Sequence, residues 1–306
     1  MTYSVLKLIE IMGGQFSLLL TACLNRYPIL VVGQDAELVD DVVTSAGNLS
    51  PHRHRLVFWR DFTTESEILA AWEEEKHDYE VTRTTVCCYS SSLRLALDRI
   101  RCFNGWILAI PLGTCTMGIK VTDGTVTDVQ SRVLQASGNC GVLRVTSPSV
   151  IEFQLLKPVE VSMAVEKSIV NKILSRKHQS LERIRRLLGK SLRGLDVADG
   201  LSRVILDLGD EAEKITKDMF EEEVSAYVHA ARRAVTILSR IRVAREMGAP
   251  SALTERSLFE AIGWETGDIC DLTRFIGAEW HEDFSDCVKG GTLSGVGAWV
   301  DSMWGT

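Results

Sequence analysis

The stretch Ile29-Leu30-Val31-Val32-Gly33-Gln34-Asp35-Ala36-Glu37, with Asp40 and Asp41 close behind, joins an apolar run to an acidic one. Residues 29–33 are apolar up to a closing glycine, the pattern of a strand buried on both faces. The stretch from Asp35 to Ala46 then reads as a helix. A strand that turns into a helix is where a nucleotide-binding chain places its phosphate loop. Such a loop curls successive backbone N–H groups round the phosphates and adds a lysine to neutralise charge. This junction has no second glycine and no lysine, and it carries acids instead. Negative side chains at a helix start stabilise the helix and repel an anionic ligand. One like-charge pair at close range costs on the order of 1 to 4 kcal/mol.

Outward from that junction, strand-like runs recur at 55–59, 81–88, 105–112, 116–122, 125–130, 141–146 and 150–156. Helical runs fall between the early ones, at 35–46, 64–77 and 91–103. Thr63 or Thr64 can cap the second of these, with Glu65 and Glu67 in its first turn. Alternation of strand and helix up to residue 112 predicts a largely parallel sheet. Asp123-Gly124, between Lys120-Val121 and Val126-Thr127, reads as a hairpin turn, so the later strands are expected to be antiparallel. Residues 3–25 read as two helical pieces broken at Gly13-Gly14. Leu20-Thr21-Ala22-Cys23 matches a lipoprotein cleavage box by pattern, but the segment before it lacks a basic start.

Near Pro158 the character changes. Ile169, Ile173, Leu174, Leu181, Ile184 and Leu188 recur at helical spacing, as do Phe220, Val224, Tyr227, Val228, Ala231, Val235 and Leu238. Two units are therefore expected: an α/β unit over 1–158, and an all-α unit over 159–306 with a tail rich in glycine and tryptophan. Thr254 to Trp280 reads as two short helices around Gly263-Trp264, the second capped by Thr266 or Asp268.

Length and composition set limits on function. The chain has 306 residues, is 45% hydrophobic and 25% charged, and carries a net charge of -7. That charge argues against nucleic-acid affinity over the whole surface. Eight cysteines form no C-x-x-C pair and read as reduced, mostly buried thiols of a cytoplasmic protein. Cys87 and Cys88 are neighbours in a strand-like run and should face opposite ways. Pro51-His52-Arg53-His54-Arg55 reads as an exposed basic turn. No run reaches the roughly 20 apolar residues of a membrane-spanning helix.

The order of features resembles the ATPase core of the type II and type IV secretion and pilus-assembly motors. The residues that carry it are the helix Phe16-Ser17-Leu18-Leu19-Leu20 leading through Asn25-Arg26 into the strand at 29–33, then the strand Leu56-Val57-Phe58-Trp59 followed by Asp61 and Glu65. Leu93-Arg94-Leu95-Ala96-Leu97 then leads through Asn104-Gly105 to Trp106-Ile107-Leu108-Ala109-Ile110. The resemblance covers roughly residues 15–115. It implies an NTPase-like fold in which Asp61 and Glu65 stand near the family's acidic box. Residues 34–41 depart from the family, whose first loop is glycine-rich with a lysine and a following threonine. What the resemblance implies is thus a degenerate relative that has lost its phosphate loop, without the family's ATP hydrolysis.

Other candidate sites are sparse. Ser90-Ser91-Ser92, at a strand-to-helix junction, offers hydroxyls and free N–H groups to an anion, or simply caps the helix. The pairs Asp40–Asp41 and Asp61–Glu65 lack a partner base or a metal-ligand set, so no catalytic, cofactor or metal site is assigned. Residues 167–193 hold Lys167, Lys172, Arg176, Lys177, Arg183, Arg185, Arg186, Lys190 and Arg193 against the lone acid Glu182. A helix with that face would contact a protein partner, nucleic acid or an anionic membrane, or pair with the acidic stretch Asp207–Glu223 of its own chain. The function expected is a non-catalytic regulatory or assembly module that binds a protein partner or itself. The alternatives are a nucleic-acid-associated protein using the 167–193 helix, and an enzyme acting on a phosphorylated small molecule near Ser90–Ser92.

Overall fold

The computed structural model describes residues 3–58, 82–99, 105–113, 115–116, 119–158, 162–191, 198–248 and 253–289, with a few positions between 64 and 74. Side chains at 98–99, 114–120, 177–178 and 180–212 lie outside the description. So do Asp61, Glu65 and the tail from 290 onward.

Six strands form one sheet: β1 (Ile29–Gly33), β2 (His54–Val57), β3 (Thr84–Cys88), β4 (Trp106–Pro111), β7 (Gly141–Ser147) and β8 (Val150–Leu155). Between β4 and β7 the short strands β5 (Cys115–Thr116) and β6 (Ile119–Lys120) pair only with each other. The sheet order is β2-β3-β4-β1-β7-β8. All pairings are parallel except that of β8 with β7, the antiparallel pair at one edge. The expected α/β fold, a largely parallel sheet with an antiparallel hairpin followed by helices, is the fold observed.

Period-two alternation sorts the strand residues onto two buried faces. Ile29, Val31, Cys87, Ile107, Ala109, Leu143 and Val145 enter one core; Leu30, Val32, Val86, Cys88, Leu108, Ile110 and Val142 enter the other. Cys87 and Cys88 do face opposite ways, and burial pushes the Cys87 thiol up to about 12.

The first core is roofed by α1 (Val5–Met12), α2 (Gln15–Leu24) and α3 (Ala36–Gly47). The break between α1 and α2 falls where expected, at Gly13, whose φ of 53° is ready for glycine but strained for other residues. The second core is covered by α4 (Leu93–Arg99) and α5 (Asp123–Ser137). Here the expected hairpin at Asp123-Gly124 is replaced by a helix. Thr122 and Thr125 form a capping box, and Val126, Val129 and Val133 make a buried helical stripe. Tertiary burial of that stripe against the open sheet face outweighs the local turn signal of Asp-Gly.

The helical half comprises α6 (Ala164–Ser191), α7 (Ala198–Glu246), α8 (Glu255–Ile262) and α9 (Ile269–Trp280). Between α7 and α8, β9 (Leu253–Thr254) pairs in parallel with β10 (Val288–Lys289). Of the two caps the sequence offers, Asp268 is the one that caps α9, accepting from Asp271 N at 2.9 Å. The change near Pro158 is a change of secondary structure, and packing runs on across it. Ile169, Phe220, Tyr227, Leu258 and Phe275 join the same core as α1, α2 and the first sheet face.

Candidate functional site

In open α/β sheets, ligands bind where neighbouring strands send their helices to opposite faces, at the strands' carboxyl ends. β1 and β4 are such neighbours. β1 leads into α3 on the first face, while β4 leads on towards α5 on the second. The strands stay joined past their ends, where Leu112 N donates to Gly33 O at 2.7 Å. The junction singled out in the sequence therefore lies at the switch point of the sheet.

The residues there are turned inward on one another. Gly33 has no room for a side chain: a Cβ would stand 2.8 Å from Val145 O and 2.8 Å from Val39 Cγ2. Asp35 caps α3, its Oδ1 accepting from Glu37 N at 3.0 Å and Leu38 N at 3.3 Å. One turn on, Asp40 reaches across to the end of β3. Its Oδ1 accepts from Ser90 N at 2.8 Å and its Oδ2 from Ser90 Oγ at 2.7 Å. Thr44 Oγ1 lies 3.0 Å from the Tyr89 hydroxyl beside this bridge. Burial raises the Asp40 carboxyl above the ordinary aspartate range; the Ser90 bonds oppose that rise and Asp41 adds to it.

The candidate anion site at Ser90–Ser92 is thus joined to the acidic junction and filled by it. Ser90 gives both its donors to Asp40. Ser92 N donates to Tyr89 O at 3.0 Å within a 3-10 turn, and Ser91 alone of the three is exposed. A carboxylate now sits where an incoming phosphate oxygen would accept. The sequence presents Asp40 as half of an acidic pair with Asp41; a separation of 50 positions from Ser90 hides its real partner.

A second constellation is one the sequence reading misses. The turn at 51–55, expected as exposed and basic, is buried at its centre. The Arg53 side chain is 1% exposed and that of His52 7%, and only His54 and Arg55 face solvent. Arg53 donates to Cys23 O at 2.6 Å and Leu24 O at 2.7 Å, two carbonyls at the end of α2. It also grips Glu279 Oε2 through Nε at 3.0 Å and a terminal nitrogen at 2.5 Å. Burial alone would raise the Glu279 carboxyl, but Arg53, His52 and Arg26 more than offset it and hold the group well below the carboxylate range. Arg83 donates from Nε to Glu279 O at 2.6 Å. One acid near the end of α9 thereby ties α2, the start of β2 and the start of β3 to the helical half. A weak signal was present: Glu279 lies three residues after Ile276 and four after Phe275, on the apolar face of its helix.

Of the basic helix, Lys172 pairs with Glu223 at 2.7 Å and stands 5.7 Å over the Trp264 ring. This is the internal pairing with the acidic stretch that the sequence allows. Arg176 is exposed. Lys177, Arg183, Arg185, Arg186 and Lys190 lie on α6, with side chains outside the described residues. Among the described residues no group of three His, Cys, Asp or Glu side chains gathers as metal ligands would, and no helix is long and apolar enough to cross a membrane. Comparison with protein-family models, with curated proteins and with solved structures finds no match to this chain.

Proposed function

We propose that this is a non-catalytic, NTPase-like cytoplasmic protein, a degenerate relative of the secretion and pilus motor core, which works as a regulatory or assembly module through a protein partner or self-association. One observation carries the reading. The crevice where such a sheet takes its ligand is closed by the protein's own carboxylates, with Asp40 on Ser90 and Asp35 on the first turn of α3. Anchoring phosphate there would require breaking two hydrogen bonds to a carboxylate and then approaching that same charge. The arrangement keeps what a nucleotide fold uses for stability, a central strand running into a capped helix, and removes what it uses for binding. Titration of the full chain with a fluorescent ATP analogue and magnesium is expected to give no saturable signal at micromolar nucleotide and no phosphate release. Micromolar binding or turnover would refute the reading.

A further inference from the structure

At the end of the sheet opposite Gly33, the residues that precede β2 and β3 lean on α7 and α9 and enclose a cleft of about 210 Å³. Among the described residues its walls carry two guanidinium groups, Arg83 and Arg232, and two imidazoles, His52 and His229, with the hydroxyls of Thr82 and Ser225. The one carboxylate on the wall, Glu279, is already held by Arg53. His52 is the telling member. Its side chain is 7% exposed, yet neither ring nitrogen makes a hydrogen bond. The nearest carboxylate oxygen stands 3.6 Å from Nε2, beyond hydrogen-bond reach. A buried polar group without a hydrogen bond costs on the order of 1 to 3 kcal/mol, so each one calls for an explanation.

We propose that this cleft is a binding site for a phosphate-class oxyanion: inorganic phosphate, or the phosphoryl end of a small phosphomonoester. Guanidinium forks, an imidazole and two hydroxyls are the donors that a tetrahedral anion accepts from. Pockets for drug-sized ligands run from about 300 to 1,000 Å³. A cleft of about 210 Å³ therefore suits a phosphoryl group with few atoms attached and is too small for a nucleoside triphosphate. Its walls come from the sheet on one side and from α7 and α9 on the other, so a bound anion would clamp the two halves together. The site stands independently of the closed switch point, which lies at the other end of the strands.

The test is a titration of the full chain, at constant ionic strength in chloride, with inorganic phosphate in one arm and glycerol phosphate in the other. Calorimetry reads affinity, and histidine side-chain NMR reads the site, with the His52 signal assigned by His52→Gln. Saturable movement of the His52 resonance with either anion is the expected result. Equal affinities would mean that the phosphoryl group alone is recognised, and tighter binding of glycerol phosphate would mark a monoester as the ligand. Arg232→Gln, at a half-buried position, is expected to weaken binding about tenfold or more, the loss of one charge-assisted hydrogen bond. His229→Gln at the exposed mouth weakens it in the same direction and serves if the arginine variant does not fold. An unmoved His52 at millimolar anion, or unchanged affinity in a folded variant of either wall residue, would overturn the proposal.

Discussion

Asp40, Arg53 and Glu279 are charged residues, and each is drawn inward by a partner far along the chain. Arg53 and Glu279 are 226 residues apart, and no local pattern reports such a pairing. Their burial has a consequence for pH. His52 is held below its ordinary value of 6.5, first by burial and then by Arg53. As pH falls below about 6.5, the unfolded chain takes up a proton that the native imidazole resists, so stability declines down to the folded value. Glu279 is likewise depressed, and its contribution is lost as pH falls from about 4.5 towards its folded value. Both act in one direction. Urea midpoints in phosphate-free buffer should fall between pH 7 and pH 5, and His52→Gln should flatten that part of the curve. The raised Asp40 carboxyl works in the opposite sense, so a His52→Gln curve with the same pH dependence as the wild type is the result that would contradict the account.

Among the elements, β1 and α3 were legible because both carry their evidence locally: an apolar run ended by glycine, then an Asp cap and a buried stripe. The helix α5 was not. Asp123-Gly124 is a strong hairpin dipeptide, and alternating Val and Thr after it imitates a strand. Val126, Val129 and Val133 fit a helical stripe as well, and the exposed sheet face decided between them. The turn after β1 shows how tightly the elements close at the switch point. Gly33→Ala would drive a Cβ to 2.8 Å from a backbone oxygen, where no flexible side chain can yield. Overpacking of this kind costs about 1 to 3 kcal/mol. Chemical denaturation should show that loss, and a change under about 0.5 kcal/mol, the scatter of a neutral surface substitution, would mean that the close approach is not real.

Across the whole molecule, one core serves the sheet's first face and the helical half, and the Arg53–Glu279 pair is its charged fastener. Removing one partner of a buried pair strands the other, at a cost of about 3 to 5 kcal/mol, far above the value of a surface pair. Arg53→Ala should therefore destabilise the sheet and the helices together in one cooperative transition, and Arg53→Met with Glu279→Met should recover much of the loss. Separate transitions for the two halves would show that the seam is not shared. The change from mixed to helical elements near Pro158 could be read from the sequence because periodicity changes there. The joining of the parts could not, because it depends on contacts between residues more than 200 positions apart.

The closed switch point is the claim on which the functional reading stands, and the Ser90 amide reports on it directly. Its ¹H–¹⁵N signal should follow the titration of Asp40, with a midpoint above the ordinary aspartate value, and should not move when magnesium and ATP are added at micromolar concentration. A Ser90 signal that ignores Asp40 and shifts saturably with nucleotide would contradict the account.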